Sequence, residues 1–136
     1  MNLEYQIENN LSIEEFREIL LCSTLGERRP LDSPERLEAM LRYGNLIITA
    51  RSRGRLVGVS RSLTDFMFCT YLSDLAVHLD FQRQGIGREL IRRTKLETPQ
   101  AKLILLAAPA AIHYYPKIGL SRHEHCYMLD DVDDLM

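Results

Sequence analysis

Gly85 and Gly87 stand one residue apart in Gln82-Arg83-Gln84-Gly85-Ile86-Gly87-Arg88, where a strand-like run gives way to a helix-like one. Glycine admits a left-handed backbone and lets a ligand come close to the main chain. A helix start carries unpaired N–H groups and the positive end of the helix dipole, and both attract anions. Arg83 and Arg88 add mobile positive charge beside it. The stretch is therefore either a cradle for a phosphate or diphosphate, or a tight turn with no ligand. Two other phosphate loops do not fit. A dinucleotide fingerprint needs a third glycine where Leu90 stands, and a P-loop needs Gly-Lys-Ser/Thr, which the chain lacks.

Other side chains offer proton chemistry. Tyr115, beside Tyr114 and two residues after His113, can donate a proton from a phenol with an ordinary pKa of about 10. It can equally pack with its hydroxyl bonded. Asp74 in Tyr71-Leu72-Ser73-Asp74-Leu75-Ala76-Val77 can accept a proton, hold a cation, or pair with an arginine. Arg28 and Arg29 either meet a carboxylate on a substrate or form a solvated loop. His123 and His125 share one face of an extended segment while Cys126 points away, and no second cluster completes a metal site. That segment reads as a solvated edge strand, and no metal is expected.

These residues need elements to hold them. Ser12 followed by Glu15 is a capping box, and Ile13, Phe16, Ile19 and Leu20 make a helical stripe. Ser33, Pro34 and Gly44 bracket a second helix with Leu37, Met40 and Leu41 on one face. Two strand-like runs, 45–50 and 55–60, flank a turn at Gly54. A longer extended run, 66–77, leads to the glycine bend. From Gln84 to about Leu96 the pattern is helical, with Gly87, Leu90, Ile91 and Thr94 on one face. The run 102–108 reads as a strand buried on both sides. Pro109 can open a further helix, residues 121–129 read as a last strand, and 130–136 as a frayed acidic tail. A strand, helix and strand around Gly85 imply a right-handed parallel crossover in a mixed sheet.

With those elements in place, Gln82-Arg83-Gln84-Gly85-Ile86-Gly87 resembles the Q/R-x-x-G-x-G/A acyl-CoA loop of the GNAT family of N-acetyltransferases. The upstream 71–77 stretch resembles the strand before that loop. The segment Tyr114-Tyr115-Pro116-Lys117-Ile118-Gly119-Leu120 resembles the family's aromatic-Tyr-x-x-x-Gly-aromatic segment, with Leu120 in place of the last aromatic. The resemblance covers nearly the whole chain. It implies an α/β (α+β) fold with a mixed, largely antiparallel central sheet, a splayed parallel strand pair and flanking helices. It also implies acetyl-CoA as co-substrate. The backbone of Leu75, Ala76 and Val77 would pair with the pantetheine arm, and Gln82, Arg83, Gln84, Gly85, Ile86, Gly87 and Arg88 would hold the diphosphate. Tyr115 matches the family's acid position, with Pro116 following it inside the expected helix. Asp74 matches a position that is often acidic and would draw the amine's proton or bind the ammonium, with His113 ranked below it. The acetyl group would pass directly to a primary amine, without a cysteine intermediate. The acceptor would be a small molecule, with a protein amine as the other choice. A non-catalytic acyl-CoA-binding sensor is the alternative.

Composition sets the outer bounds. The chain has 136 residues, 46% hydrophobic and 26% charged, which fits one soluble domain over 1–136. A net charge of −2 gives no general pull toward nucleic acid or an anionic membrane. There is no apolar run of membrane-spanning length and no secretory pattern at the start. Three cysteines without metal or redox spacing read as reduced, mostly buried thiols in a cytoplasmic protein. An exposed last strand offers a route to a homodimer.

Overall fold

The computed structural model describes residues 2–136. It divides into two compact units, one ending at Leu106 and one spanning Ala107–Met136.

The first unit is a five-stranded sheet in the order β1-β2-β3-β4-β5 with helices on both faces. Its strands are β1 (Leu3–Ile7), β2 (Leu46–Ser52), β3 (Arg55–Thr64), β4 (Cys69–Val77) and β5 (Lys102–Ile104). The first four pair antiparallel, and β4 pairs β5 in parallel. The sheet is thus the mixed, largely antiparallel kind. β1 was not among the elements read above, although Leu3, Tyr5 and Ile7 alternate with polar residues.

Helices α1 (Ile13–Leu21) and α2 (Pro34–Tyr43) cover one face. Ser12 and Ser33 cap them, accepting the N–H groups of Glu15 and Arg36. Phe16, Ile19, Leu20, Leu37 and Leu41 pack on Ile47, Val59 and Ala76, each large side chain adding ~1.5–3 kcal/mol relative to exposure. Helix α3 (Ile86–Glu97) covers the other face through Ile86 and Leu90, against Ile48, Ala50 and Val57. The helix starts two residues later than its pattern implied. Ile86, not Gly87, shares the buried face with Leu90, Ile91 and Thr94.

The sheet has one decisive irregularity. Arg61 pairs with Asp74 but Ser62 pairs with Leu72, so Ser73 is an extra residue in β4. A bulge bends its strand. β5 pairs with β4 only from Cys69 to Tyr71, while β4 runs on to Val77. The two strands part where the bulge begins. This corrects the reading of 102–108 as a long strand buried on both faces: β5 is short, and Ile104 and Leu106 remain 46% and 48% exposed.

The second unit holds a 3-10 turn at Pro109–Ala111 and a short helix, α4 (Tyr114–Lys117). Residues 121–129 form no strand and are exposed, Cys126 among them; Cys69 is exposed too and Cys22 half-buried, so the thiols are not mostly buried. The His125 N–H is taken by the His123 ring Nδ1 at 2.9 Å, a local bond that competes with strand pairing. Another 3-10 turn at Val132–Asp134 is capped by Asp131. Among the described residues no helix is long and apolar enough to cross a membrane, and no three His, Cys, Asp or Glu side chains gather as a metal site would need.

Candidate active site

In the first unit, β4 presents a free backbone edge beyond Tyr71. The His78 N–H donates to the Val57 carbonyl, so by alternation Ala76 and Asp74 turn their main-chain groups toward β3. The N–H groups of Leu75 and Val77 therefore face the side that β5 has left. Their side chains pack toward α3, whereas Asp74 and Ala76 are buried on the opposite face. The edge ends in a bend held from within: Gln82 donates its side-chain amide to the Val77 carbonyl at 3.0 Å.

Arg83 and Gly85 both have positive φ, 65° and 83°. Gly85 caps α3 with no side-chain hydrogen bond. The first intrahelical donor is Glu89, whose N–H reaches the Gly85 carbonyl at 3.0 Å. The N–H groups of Ile86, Gly87 and Arg88 are thus left without helical partners. Nothing lies within 4 Å of where a Gly85 Cβ would stand. Arg83, Gln84 and Arg88 are exposed around this opening, and the Ile86 side chain is buried, so Ile86 offers only its main chain. Convergent amides, a free strand edge and flanking arginines are the donor set that a diphosphate carrying a peptide-like arm requires.

Asp74 does not face an open cleft. It has no exposure, and each of its carboxylate oxygens is taken by a guanidinium. Arg29 Nε donates to Oδ1 at 2.5 Å and Arg61 Nε donates to Oδ2. Arg29 also donates to the Ser73 carbonyl at 2.8 Å, and Arg61 to the Ser73 hydroxyl at 3.1 Å and the Met40 carbonyl at 2.9 Å. Arg29 is therefore no solvated loop residue: it ties the α1–α2 connection to the β4 bulge. Sequence reasoning missed Arg61 and Ser73. Arg61 in an otherwise buried strand pattern was the available signal.

In the second unit, α4 closes with a Schellman motif. The Leu120 N–H donates to the Tyr115 carbonyl at 3.0 Å and the Gly119 N–H to the Pro116 carbonyl at 3.2 Å. Gly119 has φ +108°, which explains a glycine four residues after Tyr115. Pro116 is the third residue of α4, within the first turn, where a missing N–H breaks no helical bond. Tyr115 is half-buried, and its ring meets that of Tyr114 edge-on at 5.2 Å. Burial pushes the Tyr115 phenol above its ordinary value, and Tyr114 adds to the shift. His113 is exposed just before α4.

A family model described as an acetyltransferase (GNAT) domain matches residues 28–129, about three quarters of the chain. The chain belongs to the GNAT acetyltransferase family. Among known GNAT relatives, the uncharacterized N-acetyltransferase ycf52 of Porphyra purpurea is 29% identical over 118 residues, 81% of this chain. The chain spans only 65% of that relative's length. A GNAT family acetyltransferase from Streptococcus pneumoniae TIGR4 superposes with a TM-score of 0.78 at 19% identity, covering 96% of this chain and 98% of the other. An aminoglycoside acetyltransferase from an uncultured soil metagenomic sample, solved with sisomicin, gives a TM-score of 0.67 at 20% identity over 96% and 94% of the two chains. These structural likenesses establish the GNAT fold, with its parallel β4–β5 pair, for this chain.

Proposed function

We propose that this GNAT protein binds acetyl-CoA along the free edge of β4 and moves its acetyl group directly to a primary amine. The observation that carries the reading is the continuity of the edge at Leu75–Val77 with the left-handed Gly85 and the open first turn of α3. In this reading the Leu75 and Val77 amides hold the extended arm. The amides of Ile86, Gly87 and Arg88, with the side chains of Arg83 and Arg88, hold the diphosphate. Gln82 fixes the bend between them. Acetyl-CoA supplies the acyl group as an activated thioester.

A β4 N–H is assigned to the carbonyl oxygen, which gains charge as the amine attacks. Tyr115 is assigned as the acid that gives its hydroxyl proton to the departing sulfur. Its raised pKa keeps the proton in place across the neutral range. An alkyl amine, with a pKa of about 10.4, arrives mostly protonated. Asp74 is already shared by two guanidiniums, so it acts here as a positioning residue and water takes the amine's proton. The acceptor is a small-molecule amine.

Calorimetry with acetyl-CoA, and thiol release with a panel of amines, test this directly. Tyr115→Phe is expected to cost ~100-fold or more in kcat, the range for a lost general acid, with acetyl-CoA affinity kept. Absence of heat with any CoA species refutes the reading. Binding without thiol release from any amine points instead to a sensor.

A further inference from the structure

The cluster at Asp74 holds one carboxylate and two guanidiniums. Arg29, Arg61 and Asp74 carry a net +1, and their side chains are 20%, 7% and 0% exposed. Burying an unbalanced charge is costly. Arg61 has a partial offset, because it donates to the Met40 carbonyl in the last turn of α2, the negative end of that helix. Arg29 donates through its terminal nitrogens to the carbonyls of Ser73 and of Arg28, the last residue of a short 3-10 segment (Thr24–Arg28). Among the described residues no second carboxylate pairs with either guanidinium. Three of the five Arg29 N–H groups are spent on these bonds, which leaves one on each terminal nitrogen. The guanidinium sits on the Ser73 carbonyl, and Ser73 lies two strand residues, ~7 Å along the strand, before Leu75 and its outward N–H.

We propose that Arg29, backed by Arg61, recognises a carboxylate on the amine that is acetylated. This rests on the acetyl-transfer reading and narrows its acceptor to amino acids and short amino-carboxylates. A planar guanidinium fork matches a carboxylate in geometry as well as charge. An acceptor with only an ammonium group brings a second positive charge to a cluster already at +1, and is repelled. The distance from Ser73 to Leu75 leaves room for a few bonds between amine and carboxylate.

The test uses matched acceptors that differ only in charge: β-alanine against β-alaninamide, 4-aminobutyrate against its amide, and a dipeptide against its C-terminal amide. Thiol release gives kcat/KM, and calorimetry on the CoA-loaded protein gives affinity. The carboxylate member of the pairs is expected to be preferred by ~10- to 100-fold, the range of a charged hydrogen bond, mainly through KM. Arg29→Gln is expected to erase the preference and Arg29→Lys to keep part of it. In R29Q, Arg61 still pairs Asp74 one to one. If R29Q fails to fold, R29K and the wild-type preference decide. Equal or better use of the amides, or an unchanged preference in R29Q, overturns the proposal. If no amine is turned over, the acetyl-transfer reading fails on its own, and the calorimetric difference between carboxylate and amide still decides this one. No difference there overturns it.

Discussion

Gly54 and Gly85 form a natural matched pair. Their φ values are +81° and +83°, and a Cβ at either would meet nothing within 4 Å. Gly54 turns the β2–β3 hairpin together with Arg53, whose φ is 53°, the two-residue turn with both central residues left-handed. Gly85 opens α3 beside three amides without helical partners. Alanine at either site must hold an L residue in the left-handed region, at ~1–2 kcal/mol. A stiffer unfolded chain returns ~0.4–1 kcal/mol of that. Gly54→Ala and Gly85→Ala should therefore destabilise alike, by about 1 kcal/mol, or ~3–5 °C in Tm for a chain of this size. They should differ sharply with ligand. A methyl on residue 85 fills the space next to the amides assigned to the diphosphate, and one or two lost charged hydrogen bonds cost ~1.5–3 kcal/mol each. That is a ten- to more than hundredfold weaker Kd for CoA. Urea melts and calorimetry with CoA on both variants read the two quantities separately. The reasoning is refuted if G85A binds CoA as the wild type does, or if G54A loses as much affinity as G85A.

Three further perturbations probe other links. Asp74→Asn leaves two buried guanidiniums sharing no carboxylate, so it should cost ~3 kcal/mol or more in a urea melt and leave the acid limb of the kcat/KM profile in place; loss of that limb at unchanged stability would make Asp74 the base after all. Glu8 is drawn from 4.5 down to about 2, chiefly by its bond to Arg51, which also holds Glu15. A depressed carboxylate contributes stability above its unfolded pKa and loses it on acidification, here between about pH 4.5 and pH 2. The contribution is ~1–2 kcal/mol after solvent screening, and Arg51→Met should remove it, so that the two proteins differ at pH 7 and converge near pH 2. Gly119→Ala forces φ +108° on an L residue, a strain of ~1–3 kcal/mol, and should lower kcat by disturbing the turn that closes on Tyr115 while leaving the calorimetric Kd for CoA unchanged.

Local patterns carried most of the fold into view. Ser12 and Ser33 cap helices because a hydroxyl before an apolar stripe has one good use. Gly54 marks a hairpin because two left-handed residues need a permissive one. The bend at Gly85 was legible for the same reason. β1 leaves a fainter mark, because five alternating residues make a weak period. The last strand failed for a different cause. Its Cys-Tyr-Met-Leu end suits a strand, but a ladder needs a partner, and the His123 ring claims an N–H that a ladder would use.

Asp74 shows where such reading stops. Alternation puts a strand carboxylate on one face, here the face opposite Leu75 and Val77. It cannot say what waits on that face. Arg29 lies 45 residues away and Arg61 thirteen, and only the packed sheet brings both onto one carboxylate. The bulge at Ser73 is equally silent in sequence, since it is a slip in pairing between two strands rather than a property of either. Yet this one extra residue does two things at once. It bends β4 away from β5, which frees the Leu75 and Val77 amides, and it turns the Ser73 carbonyl to Arg29 instead of to a neighbouring strand. The edge that would take the acyl donor and the cation that would select the acceptor thus share one cause. A change that removes the bulge should lose both together, whereas a change at Arg29 alone should lose only the second.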